Sequence, residues 1–467
     1  MHTSTISSNS AQLLYGSRVF EVLQYYYSPT IGREGTTLAG NIYCFIGRTD
    51  PWEDDVNPPE PSQDQRSLKQ YFKNIIAAKK AGSSDISPVI PRVDWTSGIV
   101  YDYYKDTVDM VNLNADGLLV KKFYARNRFD QVFECLWNAN GAPSTSEPQF
   151  LPGTYDPAFI FYGADRYKWK YLYTIDNGIK QKFLDSDWIP VPLADLFPNP
   201  ITPSVGLGGI DVINVTNSGS GYVANGVTAV ITGDGSGAEA VPSVNAAGYI
   251  TDVTVINSGS NYTYADISFS VPPQYPTPNT IASAIAPIAP VGGHGFDPIS
   301  EFGCNHVMIS VEFDKDEDGN VPTDINFHQL GMILNPIAAS TYPRPASASI
   351  YDTTTHLVVS AGINDFVSGQ MIYQGPSRTA RTYSATVASF DVGNNVVKVI
   401  NTFGTAKLNY PLLQDSNGPI PSATRTLLQE IPSDFVLNSG YFLYIENRSG
   451  VTRSPDSVEQ FRLVLKF

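Results

Sequence analysis

At 467 residues the chain has room for about three domains and a sizeable core, which excludes a disordered segment or a disulfide-stapled miniprotein. Charged residues are only 16% of it, and 27 Tyr, 23 Phe, 37 Gly and 34 Pro favour many short strands over long helices. Thirty Lys+Arg against 45 Asp+Glu leave a net charge of −15, whose field repels phosphate backbones and argues against a nucleic-acid partner.

In chain order, the polar opening Met1 to Ser10 lacks a basic stretch followed by an apolar one, so no secretory signal is expected. Near-helical spacing predicts a helix over 11–26. A clearer one is predicted over 65–81, where Leu68, Tyr71, Phe72, Ile75 and Ile76 recur at i, i+3, i+4, i+7 and i+8 and Gly82 follows as a stop. Strand patterns run through Ile42–Ile46, Lys168–Tyr173, Val307–Phe313 and Phe461–Phe467. These place an N-terminal core in 1–204, its continuation in 279–351 and the last core strands in 433–467.

Two segments change composition abruptly and are read as inserted β modules. In 205–278, Ile210–Tyr222 aligns with Ile250–Tyr262, sharing Asn-Ser-Gly-Ser and the closing Tyr. Each copy is a strand running into a turn, so the two are expected to pair into one small unit, being too few for a solenoid. In 352–432, closely spaced strands at Met371–Gly375, Ala385–Phe390 and Val396–Ile400 predict a small barrel or sandwich. The expected fold is mainly β with a minor α part: a multi-domain, sandwich- or barrel-like core carrying two modules. Ile281–Val291 is too short and too Pro-broken to span a bilayer; a soluble protein without a membrane partner is expected.

Cys44, Cys135 and Cys304 are few and far apart, which fits a reducing compartment better than a disulfide framework. Asp314-Lys315-Asp316-Glu317-Asp318-Gly319 opens like a calcium loop, but Ile325 stands where the closing Glu belongs and the run follows a strand, so a solvated hairpin turn is expected. His294, Cys304 and His306 could approach a zinc ion, yet no second pair with ligand spacing supports them. Nucleophile-elbow, zinc-protease and phosphate-loop motifs are missing, and the Gly-rich 204–237 stretch has no basic residue. Paired acids such as Asp54-Asp55, or Asp185 with Asp187, have the surroundings of loop residues. No enzyme activity, catalytic residue, metal or cofactor is expected.

Aromatic, Arg and Asp residues cluster instead: Arg48, Asp50 and Trp52; Arg92, Asp94 and Trp95; Trp169 and Tyr171; Tyr444, Glu446 and Arg448. Such side chains serve cores and subunit interfaces equally well, so these are candidates for interface contacts or structural clamps. Phe45-Ile46-Gly47-Arg48-x-x-Pro51-Trp52, Val-Ile-Pro-Arg-x-Asp-Trp at 89–95, Trp169-Lys-Tyr-Leu-Tyr, and Tyr444-Ile445-Glu446-Asn447-Arg448 ahead of a last strand ending in Phe467 follow one another in a particular order. In that order the chain resembles the baseplate wedge protein, gene product eight, of T-even-type contractile-tailed phages.

The resemblance covers about 11–200, 294–345 and 433–467; the two modules depart from the family's pattern. It implies a structural, non-enzymatic virion subunit of the tail baseplate, assembled in the host bacterial cytoplasm. The subunit would be a homodimer within each wedge and would hold other baseplate wedge subunits. The contrasting reading is a tail adhesin or glycan-depolymerising tailspike, for which many more β-helix repeats would be expected.

Overall fold

A computed structural model of the chain describes residues 2–6 as backbone, and 41–114, 119–153, 159–191, 205–362, 364–414 and 423–466 in full. The helix expected over 11–26 lies outside the described residues. The fold is mainly β: 26 strands, β1 to β26, and three short helices, α1 to α3, among the described residues. The chain divides into two compact units, Met1–Ile86 with Met308–Phe467, and Ser87–Val307.

In the first unit β1 (His2–Ile6) runs parallel to the C-terminal strand β26 (Val458–Lys466). β2 (Ile42–Gly47) is buried along its whole length, since both of its faces are covered and each takes alternate side chains. It pairs with β3 (Ile75–Lys80) on one side and with a later strand, Ile325–Leu334, on the other. Helix α1 (Gln65–Asn74) opens on Asp64, whose carboxylate accepts from the amides of Arg66 and Ser67. The helical periodicity over 65–81 therefore overruns the helix by seven residues. Tyr71 and Phe72 bury its apolar face, but Ile75 and Ile76 belong to β3: β-branched neighbours suit a strand, and pairing Phe45 with Ala78 and Ile46 with Ala77 decides the matter. Gly47 permits this corner, because a Cβ there would lie 2.8 Å from the Asn74 carbonyl oxygen.

The second unit begins with β4 (Ile86–Pro91), most of which belongs to it. β5 (Tyr124–Arg126), β6 (Gln131–Asn138), β7 (Ile160–Tyr162) and β8 (Tyr167–Thr174) form a sheet in the order β5-β6-β8-β7. Helix α2 (Asn177–Phe183) then leads to β9 (Trp188–Pro190), which pairs with β4. Strands β10 (Asn214–Asn217), β11 (Thr228–Gly233), β14 (Ala265–Ser270) and β15 (Ser283–Ile285) make a second sheet, and β12 (Ser236–Val244) pairs with β13 (Ile250–Ser260).

The two sequence copies meet here reciprocally. Ile210 donates its amide to Ser258, and Ile250 to Ser218; Tyr262 donates to Gly208, and Tyr222 to Gly248. Gly219 and Gly259 both take positive φ, 60° and 63°, each donating to the Asn side chain two residues earlier. The sheet runs on past residue 278 through β15, and Val205 bridges Gly292, so the module's two ends adjoin. Helix α3 (Pro298–Glu301) follows.

Returning to the first unit, β16 (His306–Asp314) leads through the acidic turn to β17 (Ile325–Leu334), already met beside β2. The two strands lie in different sheets, so the turn is a crossover and not the expected hairpin. Glu317 folds back to accept from the Asp314 amide and to pair with Lys79 at 2.6 Å. β18 (Ile350–Asp352) pairs with β3. A closed barrel follows, made of β19 (Thr355–Val359), β20 (Met371–Gln374), β21 (Tyr383–Asp391), β22 (Val396–Gly404), β23 (Pro411–Gln414) and β24 (Ala423–Ile431). β25 (Tyr441–Arg453) completes the β18-β3-β2-β17-β25 sheet.

Candidate functional site

In the first unit the 48–59 segment is strapped over β17 and β25. Arg48 is left-handed, with φ 56°, and its amide donates to the Asn74 carbonyl while its own carbonyl accepts from His328. This places the guanidinium 3.7 Å over the Trp52 ring and 2.8 Å from Asp50. The Trp52 indole N–H donates to the Arg448 carbonyl at 3.1 Å, joining positions 396 residues apart. Asp55 accepts from the Gly450 amide and lies 3.2 Å from His328 Nε2; Asn447 donates to the Pro59 carbonyl. The Tyr444 hydroxyl donates to Glu446 at 2.7 Å. Burial, with the Glu446 charge and that bond, drives the phenol far above its ordinary pKa. Tyr444, Glu446 and Arg448 also line a cavity of about 310 Å³ with Phe313, Phe327 and Phe461.

The second cluster joins the end of β4 to β5 and α2. Asp94 receives Arg92 and Arg126, each at 2.8 Å; Arg126 also reaches Asp130 at 2.5 Å, and Lys180 reaches Asp130 at 2.6 Å. Burial alone would raise Asp94, but the two guanidinium hydrogen bonds outweigh it and hold the carboxyl below its usual range. Arg92 also donates to the Asp185 carbonyl, and the Trp95 indole to the Ser144 hydroxyl. Trp169 and Tyr171 lie in the core of this unit: Trp169 packs edge-on to Tyr101 at 5.1 Å and Tyr171 stacks on Phe150 at 3.9 Å. Their strand β8 alternates, and Lys168, facing the other way, gives its ammonium to Asp252 and the Ile213 carbonyl of the module.

The histidines are arranged otherwise than their spacing suggested. His306 lies 4.7 Å from the Trp188 ring, while His294 joins Glu134 and Glu301 in the group of side chains that, among the described residues, could share one ion; neither Cys304 nor His306 belongs to it. His294 Nδ1 lies 2.8 Å from Glu134 Oε2 and 2.6 Å from Glu301 Oε1, and its Nε2 lies 3.6 Å from Asp211. The Tyr104 ring covers the imidazole edge-on at 4.5 Å. Burial pushes Glu134 far above the carboxylate range, and the Glu301 charge pushes it further. For Glu301, hydrogen bonds with Glu134 and His294 outweigh burial and lower it; for His294, the Asp211 and Glu134 charges outweigh burial and raise it.

Sequence reasoning missed this cluster because Glu134 and Asp211 are 160 and 83 residues from His294, with no motif to connect them. A lone Glu inside the apolar strand Gln131–Asn138 was the available signal, since a buried acid needs a partner.

No protein-family model matches the chain, and no curated protein matches it.

Proposed function

We propose that this chain is a structural subunit of the baseplate wedge of a contractile phage tail, working by holding neighbouring wedge proteins, with a second copy of itself as one of them. The observation that carries the reading is the strap just described. Two of the motifs behind the resemblance, Gly47 to Trp52 and Tyr444 to Arg448, are joined by the Trp52 indole and the Arg448 carbonyl. A subunit under tension between neighbours benefits from having segments distant in sequence stitched into one sheet, because separation then requires breaking the β2–β17–β25 ladder cooperatively.

Exposed apolar side chains supply contact surface. Val241, Ile256 and Tyr264 on the 205–292 module, and Phe403, Leu408, Tyr410 and Leu428 on the barrel, are each at least half-exposed or nearly so. The test is co-expression with the wedge proteins of the same phage, followed by co-purification and sedimentation. A dimer that enters a wedge complex is expected. A chain that stays monomeric, binds no wedge protein and cleaves host polysaccharide would overturn the reading in favour of a depolymerase.

A further inference from the structure

We propose that Glu134, His294 and Glu301 form a structural site for a divalent transition-metal ion of the zinc class, seated where the two ends of the 205–292 module meet β6. The three donors come from separate segments: Glu134 from β6, His294 from the loop leaving the module, and Glu301 from α3. Their ligand atoms lie within 4.8 Å of one another. All three side chains are at most 1% exposed.

The single proton of a neutral imidazole leaves the polar geometry incomplete. Nδ1 has one hydrogen to give and two carboxylate oxygens beside it. Glu301 is placed to receive it, and Glu134, when ionised, is then left with two fully buried oxygens and no donor of its own. Removing an acid from water without partners is costly, and a cation between Nδ1, Glu134 and Glu301 satisfies all three groups at once. The other face of the ring fits the same reading. Nε2 lies 3.6 Å from one Asp211 oxygen, just beyond a direct hydrogen bond, and the other Asp211 oxygen accepts from the His294 amide at 3.3 Å. A ligating histidine ordinarily gives its remaining N–H to such a carboxylate, which fixes ring and tautomer. Glu301 is itself oriented by the Gly295 amide at 2.7 Å.

The donor set selects the ion. One imidazole nitrogen with up to four carboxylate oxygens suits zinc, manganese or iron, and zinc best in a tetrahedral shell; calcium and magnesium prefer all-oxygen shells with six or more ligands. Ligands at about 2.0–2.2 Å from a tetrahedral ion lie roughly 3.3 Å apart, so the carboxylates need to swing outward by about half an ångström.

The experiment uses the full chain. It is purified without added metal, its metal content is measured by mass spectrometry, and it is stripped with dipicolinate and titrated with Zn²⁺ and Co²⁺ while the thermal midpoint is followed. About one equivalent of bound metal is expected, with a visible Co²⁺ band that Zn²⁺ displaces and a midpoint several degrees lower after stripping that Zn²⁺ restores. Glu134→Gln and His294→Ala should abolish the band, and Asp316→Asn, in the acidic turn, should leave it unchanged. The wild-type titration decides the matter even where a variant fails to fold. A folded wild type that takes up neither ion would overturn the site and leave a cluster held by shared protons; so would a band lost in Asp316→Asn, or stoichiometric calcium binding in place of zinc.

Discussion

Arg48 carries two opposed contributions at one position. Its left-handed backbone is uphill for a residue with a Cβ, while its side chain gains the Trp52 face and the Asp50 carboxylate, both only partly desolvated. Arg48→Ala should lose the contacts and keep the strain, at about 1–2 kcal/mol. Arg48→Gly should lose the same contacts but relieve the backbone, so it should be the more stable of the two by urea denaturation. The reverse order would remove strain from the account. Asp352 tests a buried pair: its carboxylate meets His356 at 2.8 Å, Lys398 at 2.7 Å and the Thr354 amide and hydroxyl. Burial raises its pKa, but these partners outweigh burial and leave it lowered. A carboxyl lowered in the folded state adds stability above its unfolded value, near 4, and that stability is lost as pH falls through the folded value. Asp352→Asn should therefore cost about 3 kcal/mol at pH 7 and progressively less below pH 4. Neighbouring Asp434 runs the opposite way, since burial and then the Asp352 charge raise it, so its contribution is lost as pH rises and Asp434→Asn should steepen the acid limb relative to wild type. A gap between wild type and Asp352→Asn that stays constant down to pH 2 would contradict the linkage.

At the scale of elements, the barrel leaves and rejoins its sheet at one point. The Asp434 amide donates to the Asp352 carbonyl, and the Asp352 amide to the Asp434 carboxylate, each at 3.1 Å. The barrel also has a core of its own, including Leu357, Val387, Val397, Leu412 and Leu427. A unit whose ends adjoin and whose apolar side chains face one another can be removed without opening the parent core. Replacing 353–433 by a short Gly/Ser linker should leave a soluble chain that melts cooperatively, destabilised mainly through lost bonds such as that from the Thr49 hydroxyl to the Val387 carbonyl. Aggregation, or loss of the cooperative transition in calorimetry, would show that the sheet depends on the barrel. Element type was legible wherever alternation was strong, as in β8, β16, β21 and β22. It failed at α1, where helical spacing continued into two residues that strand pairing claimed. The reciprocal bonds of the repeat copies were partly legible too: the Asn-Ser-Gly-Ser identity predicted matching turns, but not which strand each copy would join.

For the molecule as a whole, net charge makes a further prediction. Two copies of a −15 chain repel one another, and salt screens that repulsion over about 10 Å at 0.1 M. If the proposed dimer is held through apolar surface, sedimentation equilibrium should show it tightening as salt rises from about 0.02 to 0.3 M. Weakening over that range would instead point to oppositely charged patches across the interface. Composition, alternation and turn residues by themselves determined that this protein is mainly β and that Asn-Ser-Gly copies build matching corners, because these depend on neighbours a few residues apart. Tertiary structure alone decided that Trp52 reaches Arg448, that Asp94 gathers two arginines, and that Glu134, Asp211, His294 and Glu301 converge. Those contacts join residues up to 396 positions apart, and no local periodicity encodes a meeting that depends on which strands come to lie side by side.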